Sequence, residues 1–262
     1  MSEITLHRFP YSNFCEKVNW AFAYKGIGPK VVTHLPFLHM RPITKLSGQT
    51  AVPVIETPDQ GVIAGSAQII EYLESVTATG LLYPIDAEEK REVLRWQSEL
   101  DEVGASVRGA MFFDYLNDKS FFHQMLTDGG QGGFGYKLMF RAMAPMLGSI
   151  LRKEEPDPGV YQSKVREALD KVASAVAQDG YLVGGRFTAA DLTAASLFYP
   201  VCYPAGTPGH AISHSTDAGR QWLARWKGNR ALPYIQDMYA RHRGIGEQPL
   251  GVDARSEPLG QA

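Results

Sequence analysis

The chain has 262 residues, of which 44% are hydrophobic and 21% charged, the balance of an ordinary globular protein that buries its own core. Its formal net charge of −2 and lack of a long basic run argue against a nucleic-acid partner. No apolar run approaches the ~20 residues that span a bilayer, and the N-terminus lacks a secretory pattern, so we expect no membrane partner. The two cysteines, Cys15 and Cys202, predict no disulfide framework and a cytoplasmic protein.

The first 85 residues alternate between strand and helix patterns. The predicted segments are a strand at 3–9, a helix from 15 to the glycines at 26 and 28, a strand at 31–35, a short helix within 39–49, strands at 52–56 and 62–64, and a helix at 67–74. The first β-α-β unit implies parallel strands, and the last two strands enclose a turn that predicts a hairpin. The order β-α-β-α-β-β-α is that of a thioredoxin-like domain.

The strand signal ends near residue 87. Helices are predicted at 88–115, within 118–151 around the glycines at 129–133, and at 160–178, 189–200, 217–227 and 233–242. The predicted fold class is therefore an α/β domain followed by an all-α domain. We expect a thioredoxin-like domain at 1–76, a linker at 77–87, an all-helical domain at 88–243 and a loosely ordered tail at 244–262.

Ser12 lies where the first strand gives way to the first helix. The unpaired N–H groups and the dipole of a helix N-terminus favour a nearby anion and lower the pKa of a thiol placed there. The Ser12 hydroxyl can donate a hydrogen bond to such a thiolate. The simpler interpretation is that Ser12 or Asn13 caps the helix.

Cys15 stands at the second cysteine position of a Cys-x-x-Cys arrangement whose first position is Ser12. In such motifs the first cysteine is the attacking thiolate, and Cys15 falls about one helical turn further in. Redox chemistry at Cys15 and a buried, structural thiol both remain open. We take Cys202 to be structural.

Three further motifs are local. Ser66 opens a helix and is either a cap or part of a carboxylate site. Thr188 and Asp191 form a capping-box pattern that begins a helix of the second domain. His210 and His214 have helical spacing, but their stretch reads as a loop, and we predict no metal site.

The order and spacing of four segments resemble the cytosolic glutathione transferase superfamily with a serine-type N-terminal loop, over most of the chain. They are residues 9–18 (FPYSNFCEKV), 51–55 (AVPVI), 65–73 (GSAQIIEYL) and 187–192 (FTAADL). The resemblance implies that Ser12 donates a hydrogen bond to the glutathione sulfur and that Tyr11 and Phe14, in the same loop, contribute to glutathione binding. It also implies a homodimer.

The resemblance assigns the rest of the glutathione site by position. Val52 would pair with the cysteinyl backbone beside a cis Pro53, Ser66 would hold the γ-glutamyl carboxylate, and Lys45 or His39 would contact the glycine end. The electrophile pocket would be lined by Met111, Phe112 and Tyr115.

One position departs from the family pattern. An acidic residue or glutamine usually precedes the γ-glutamyl serine, and here that residue is Gly65. The leading hypothesis is transfer of glutathione to a small hydrophobic electrophile. The alternatives are Cys15-dependent thiol–disulfide or dehalogenating chemistry and a non-catalytic ligand-binding or assembly module.

Overall fold

The computed structural model describes residues 3–35, 38–115, 138 and 157–244. The N-terminal part contains β1 (Thr5–Arg8), α1 (Asn13–Tyr24), β2 (Lys30–Thr33), α2 (Met40–Ser47), β3 (Val54–Thr57), β4 (Gly61–Ala64) and α3 (Ser66–Val76). The remainder contains α4 (Ala87–Tyr115), α5 (Pro158–Ala175), α6 (Ala189–Phe198) with a 3₁₀ turn at Tyr199–Val201, α7 (His210–Ser215), α8 (Asp217–Trp226) and α9 (Ala231–His242). The predicted fold class is confirmed. The predictions for 118–151 and for the tail lie, apart from residues 138 and 244, outside the described residues.

The four strands form one mixed sheet in the order β2-β1-β3-β4. Leu6 of β1 pairs with Val31 of β2 in parallel and with Ile55 of β3 in antiparallel register. β3 and β4 form the predicted antiparallel hairpin. Leu6 and Ile55 are fully buried, and α1 and α3, which pack against each other, contribute to the same core.

Helix α1 is buried on almost every face because it packs against α3 of its own domain and α6 of the helical domain. Its charged residues are paired. Lys17 Nζ lies 2.7 Å from Asp101 Oδ1 on α4, and Glu16 Oε1 lies 2.7 Å from Arg243 Nε, directly after α9. A buried charge without its partner costs several kcal/mol, so these pairs favour one placement of α1 against the helical domain.

The predicted capping box is present at the start of α6. The Asp191 carboxylate accepts from the Thr188 backbone N–H at 2.9 Å, while the Thr188 hydroxyl accepts from the second backbone amide of the helix. Asp191 also accepts from the Leu182 amide and the Tyr234 hydroxyl, at 2.9 and 2.8 Å. Burial raises the pKa of Asp191, and these hydrogen bonds to its carboxylate oppose that effect.

The prediction of a loop around His210 is wrong. The chain forms the short helix α7 there, and Gly209 precedes it as an N-cap with φ 84°. Ser213 lies inside the helix, is fully buried, and donates its amide to the Gly209 carbonyl at 2.9 Å. Gly209 therefore begins the helix instead of breaking it. Across the described part of the chain, no helix is both long enough and apolar enough to cross a bilayer.

Candidate functional site

Ser12 is the N-cap of α1. Its backbone is extended, with φ −80° and ψ 123°, and its Oγ accepts a hydrogen bond from the Cys15 amide at 3.2 Å. The capping interpretation is confirmed. A hydroxyl that accepts one hydrogen bond keeps its own proton, so capping leaves Ser12 able to donate to an anion. Its side chain is partly exposed, so a ligand can reach it.

The loop around Ser12 is held by the helical domain. Asn13 Nδ2, on a side chain that is only 4% exposed, donates to the carbonyls of Gly104 on α4 and Leu197 on α6, at 3.0 and 3.2 Å. The Tyr199 hydroxyl donates to the Tyr11 carbonyl at 3.3 Å. The local sequence indicates Asn13 only as a possible cap and gives no signal for Tyr199. Both lie in the set of contacts that positions the Ser12 hydroxyl.

Cys15 is fully buried one turn inside α1. Burial raises the pKa of its thiol to about 11, although hydrogen bonds from Ser12 and the Phe9 amide and the charge of Arg8 act in the opposite direction. The Phe9 amide donates to its sulfur at 3.4 Å. The thiol is therefore protonated at neutral pH, which favours the structural interpretation. Burial likewise raises the pKa of Cys202 to about 12, and both cysteines are unpaired.

Phe14 lies between the two domains. An added Cβ on Gly104 of α4 would lie 2.7 Å from the tip of the Phe14 ring and 3.1 Å from a methyl group of Leu197. The ring thus occupies the space that the missing side chain of Gly104 leaves open. The structure places Phe14 in the packing behind the Ser12 loop, and its contact with glutathione stays a prediction.

The Val52–Pro53 segment meets the start of α3. The Val52–Pro53 peptide bond is cis, as the resemblance implies, and Pro53 is buried. The Gly65 amide donates to the Pro53 carbonyl at 3.2 Å. Residues 52–53 and 65–66, which the resemblance assigns to the same ligand, are therefore neighbours.

Gly65, not Ser66, is the N-cap of α3, so the interpretation of Ser66 as a cap is wrong. Gly65 has φ 98° and ψ 139°, a conformation that is essentially restricted to glycine. Ser66 is the first helical residue and is 6% exposed. The carboxamide of Gln68, a residue that no sequence motif indicated, occupies the space in front of Gly65.

The two candidates for the glycine end of glutathione differ in their surroundings. His39 directly precedes α2, and its ring meets that of Phe9, just before the Ser12 loop, edge-on with 4.4 Å between ring centroids. Burial lowers the pKa of His39. Lys45 is exposed in the last turn of α2. The ring contact therefore places His39 against Phe9, close to the Ser12 loop.

A chain of hydrogen bonds joins His7, His34 and Glu56. His7 Nδ1 lies 2.9 Å from His34 Nε2, and His7 Nε2 lies 2.9 Å from Glu56 Oε1. Burial, with smaller contributions from His7 and His39, lowers the pKa of His34 to about 4. The three residues come from three different strands or their ends, so no local sequence pattern indicates this contact.

Met111 of α4 is linked to the Ser12 loop through Tyr203. The Tyr203 hydroxyl donates to Met111 Sδ at 3.2 Å. An added Cβ on Gly209 would lie 2.9 Å from the Tyr203 ring and 3.6 Å from the Tyr11 ring. Residues 203–209 thus connect Met111 to Tyr11. Met111 is buried and Phe112 half-buried.

The structure does not describe the side chain of Tyr115, the third predicted pocket residue. The segment at 121–156, apart from residue 138, also lies outside the described residues. A cleft of about 960 Å³ lies between α3 and α4, and its walls include Gln68, Leu81 and Ile85 but not Ser12 or Met111. Among the residues that the structure describes, no three His, Cys, Asp or Glu side chains converge as metal ligands.

Comparisons with known proteins match two separate segments of the chain to family models. The family model described as "Glutathione S-transferase, N-terminal domain" matches residues 6–79, and that described as "Glutathione S-transferase, C-terminal domain" matches residues 136–214. No curated protein matches the sequence.

Solved structures of similar fold bear glutathione transferase names. A glutathione transferase of Phanerochaete chrysosporium is 19% identical over 95% of this chain and 100% of its own, with a TM-score of 0.61. A glutathione S-transferase of Methylobacillus flagellatus with glutathione bound is 19% identical over 92% of this chain and 96% of its own, with a TM-score of 0.57. A glutathione S-transferase of Methylobacterium radiotolerans, in complex with glutathione sulfonate, is 18% identical over 90% of this chain and 94% of its own, with a TM-score of 0.53. The chain belongs to the glutathione transferase superfamily.

Proposed function

We propose that this protein transfers glutathione to a small hydrophobic electrophile, with the Ser12 hydroxyl donating a hydrogen bond to the glutathione thiolate. The observation that carries the proposal is the position of Ser12: a partly exposed hydroxyl that caps the N-terminus of α1. The thiolate attacks an electrophilic carbon, so that an S–C bond forms and the displaced electron pair leaves with the leaving group or the opened π bond. The thiol proton goes to solvent.

The magnitudes are sufficient for this role. Lowering a thiol pKa by about two units requires roughly 2.7 kcal/mol. A hydrogen bond to a charged group contributes about 1.5–3 kcal/mol, and a helix N-terminus about 0.3–1 kcal/mol. The Ser12 hydroxyl and the amides of α1 can therefore supply most of the stabilisation that a reactive thiolate needs at neutral pH.

Glutathione would lie between the Ser12 loop and the start of α3. The contact between Gly65 and Pro53 supports this placement, because it brings the Val52–Pro53 segment next to the start of α3. The similar structures of Methylobacillus flagellatus and Methylobacterium radiotolerans are described with glutathione and glutathione sulfonate bound. His39 is our choice for the glycine end, since it already contacts Phe9.

Met111, Phe112 and the Tyr203 ring would line the electrophile side of the site. The apolar character of these groups supports a hydrophobic second substrate. Cys15 takes no part in the proposed mechanism, because its thiol is buried, with a pKa of about 11.

We also propose a homodimer and the division into domains at 1–76 and 88–243 joined by 77–87. Exposed apolar side chains around the α3–α4 cleft support the dimer: Ile85 is 92% exposed, and Leu81 and Leu94 are each 44% exposed. Light scattering of the purified chain and of Ile85→Glu tests it, and a monomeric wild type would contradict it.

The main test is the acidity of the bound thiol. Ser12→Ala should raise the pKa of protein-bound glutathione by about one unit or more and lower kcat/KM about 10–100-fold, the loss of one hydrogen bond to a charged group. Ser12→Thr keeps a hydroxyl and should retain most activity. Ultraviolet titration of the thiolate and calorimetry with glutathione provide the measurements. If Ser12→Ala leaves the bound thiol pKa unchanged, the proposal is wrong.

A further inference from the structure

His210 and His214 form a pair of imidazoles on α7. They are one helical turn apart, and their ring centroids lie 4.2 Å apart. His210 is half-buried and His214 is exposed, so solvent reaches the pair. The prediction of no metal site rested on a loop over this stretch, and the helix removes that reason.

The hydrogen bonds of the pair determine which ring nitrogens carry protons. His210 Nδ1 lies 2.6 Å from the Tyr203 carbonyl, and His214 Nδ1 lies 2.8 Å from the His210 carbonyl. A carbonyl only accepts, so each Nδ1 is the protonated nitrogen. Each neutral ring is then left with a lone pair on Nε2. Within the described ranges, no hydrogen bond reaches either Nε2.

We propose that the Nε2 atoms of His210 and His214 together bind one divalent transition-metal ion, with water in the remaining coordination positions. Two histidines at i and i+4 on one helix face can place two nitrogens on the same ion. The carbonyls that accept from Nδ1 have the role of outer-shell partners, which orient the ring and select the tautomer. Each ring contributes a lone pair and displaces one water, so no proton is released.

A second histidine pair in the same protein lacks these features. His7 Nδ1 and His34 Nε2 bond to each other, and His7 Nε2 bonds to Glu56. That pair therefore does not offer two ring nitrogens without hydrogen bonds to one metal ion, and it serves as an internal control for metal binding. Near His214, the guanidinium of Arg220 donates to the Ser215 carbonyl and is paired with Asp217, which offsets its charge.

The metal would lie at the rim of the proposed electrophile pocket. Gly209, the residue before His210, faces the Tyr11 ring at 3.6 Å from its ideal Cβ position. An ion held by only two protein ligands keeps open positions towards solvent. The site is separate from the Ser12 hydroxyl and does not depend on glutathione binding, so its test is independent of the proposed transfer activity.

The test uses the full chain without an affinity tag and two probes, Ni²⁺ by calorimetry and Cu²⁺ by electron paramagnetic resonance. We expect one Ni²⁺ per chain, tighter binding of Cu²⁺ than of Ni²⁺, and a Cu²⁺ spectrum with two nitrogen couplings. His210→Asn and His214→Asn keep a donor near the Nδ1 position and remove Nε2. Each should lower Ni²⁺ affinity at least about tenfold, the minimum effect of losing even an outer-shell partner.

His34→Gln is the matched control and should leave Ni²⁺ affinity unchanged. Circular dichroism of each variant verifies that the helices are intact. Equal Ni²⁺ affinity in the wild type and the His210→Asn/His214→Asn double variant would overturn the proposal, as would the absence of any Ni²⁺ binding by the wild type.

Discussion

The carboxamide of Gln68 occupies the space into which a side chain at Gly65 would project. A Cβ added to Gly65 would lie 2.4 Å from Gln68 Oε1 and 3.3 Å from its Cδ. Members of the superfamily usually carry an acidic residue or glutamine at the position of Gly65. Here an acceptor oxygen is supplied from one helical turn further along α3, beside Ser66.

This relationship predicts a role for Gln68 in glutathione affinity. Under the proposed function, its Oε1 would accept from the γ-glutamyl ammonium group. Gln68→Ala should raise the Kd and KM for glutathione about 5–10-fold, the loss of one hydrogen bond of about 1–1.5 kcal/mol, with kcat unchanged. Calorimetry and steady-state kinetics measure the two effects separately.

The control for Gln68 is Gln68→Glu, which keeps an acceptor oxygen at the same distance along the side chain. It should bind glutathione at least as well as the wild type, because an ionised acceptor strengthens the hydrogen bond. Equal glutathione affinity in Gln68→Ala and the wild type would remove Gln68 from the site.

Asn13 should be important for both stability and activity. Asn13→Ala removes two buried hydrogen bonds to Gly104 and Leu197 and should lower the free energy of unfolding by about 1–3 kcal/mol. It should also lower kcat/KM several-fold, because the Ser12 loop loses two of its hydrogen bonds to the helical domain. Denaturant unfolding and kinetics at a temperature where the variant is folded test both expectations.

Asn19 provides the comparison, since it is a buried asparagine of the same helix whose Nδ2 has no hydrogen-bond partner among the described residues. Asn19→Ala should cost clearly less stability than Asn13→Ala. Equal losses would show that burial of the amide, and not its contacts with α4 and α6, explains the effect of Asn13.

Cys15→Ala should retain glutathione transfer within about threefold of the wild type. The thiol is fully buried, with its pKa raised to about 11, so it is not ionised at neutral pH. Cys202→Ala, which removes the other buried thiol, is the control for effects of core packing. Loss of turnover in Cys15→Ala comparable to that in Ser12→Ala, or a glutathione adduct on Cys15 by mass spectrometry, would instead support the Cys15 mechanism.

His34 should make the protein less stable in acid. Its pKa is lowered from 6.5 to about 4 in the folded state. Between these pH values the unfolded chain binds a proton that the folded chain does not, so the free energy of unfolding falls as the pH decreases from 6.5 towards 4. Above pH 6.5 both states are neutral at His34, and this contribution to the pH dependence disappears.

His34→Gln keeps a nitrogen near the Nε2 position but does not titrate, so its stability should decrease less between pH 6.5 and pH 4 than that of the wild type. The difference between the two slopes isolates His34 from the other acid-sensitive histidines, His39 and His242. Parallel stability curves for the two proteins would contradict the lowered pKa.

The sequence by itself determined the local elements and their order. The β-α-β unit, the hairpin at β3–β4 and the capping box of Thr188 and Asp191 were all predictable, because period, turn residues and caps act within a few residues. The same holds for Ser12 at the start of α1. Among the residues that the structure describes, the short helix α7 was not predicted; it begins at a glycine with positive φ, which a sequence pattern does not distinguish from a break.

Only the tertiary structure decided which distant residues position the Ser12 loop and the start of α3. Asn13 contacts Leu197 across 184 residues of sequence, and the imidazole–carboxylate chain of His7 and Glu56 joins separate strands. The replacement of a side chain at Gly65 by Gln68 depends on the φ angle of one residue and the rotamer of another. Contacts of this kind form when helices and strands pack together, because a buried polar group must then be hydrogen-bonded. The local sequence pattern does not specify which distant residue becomes its hydrogen-bond partner.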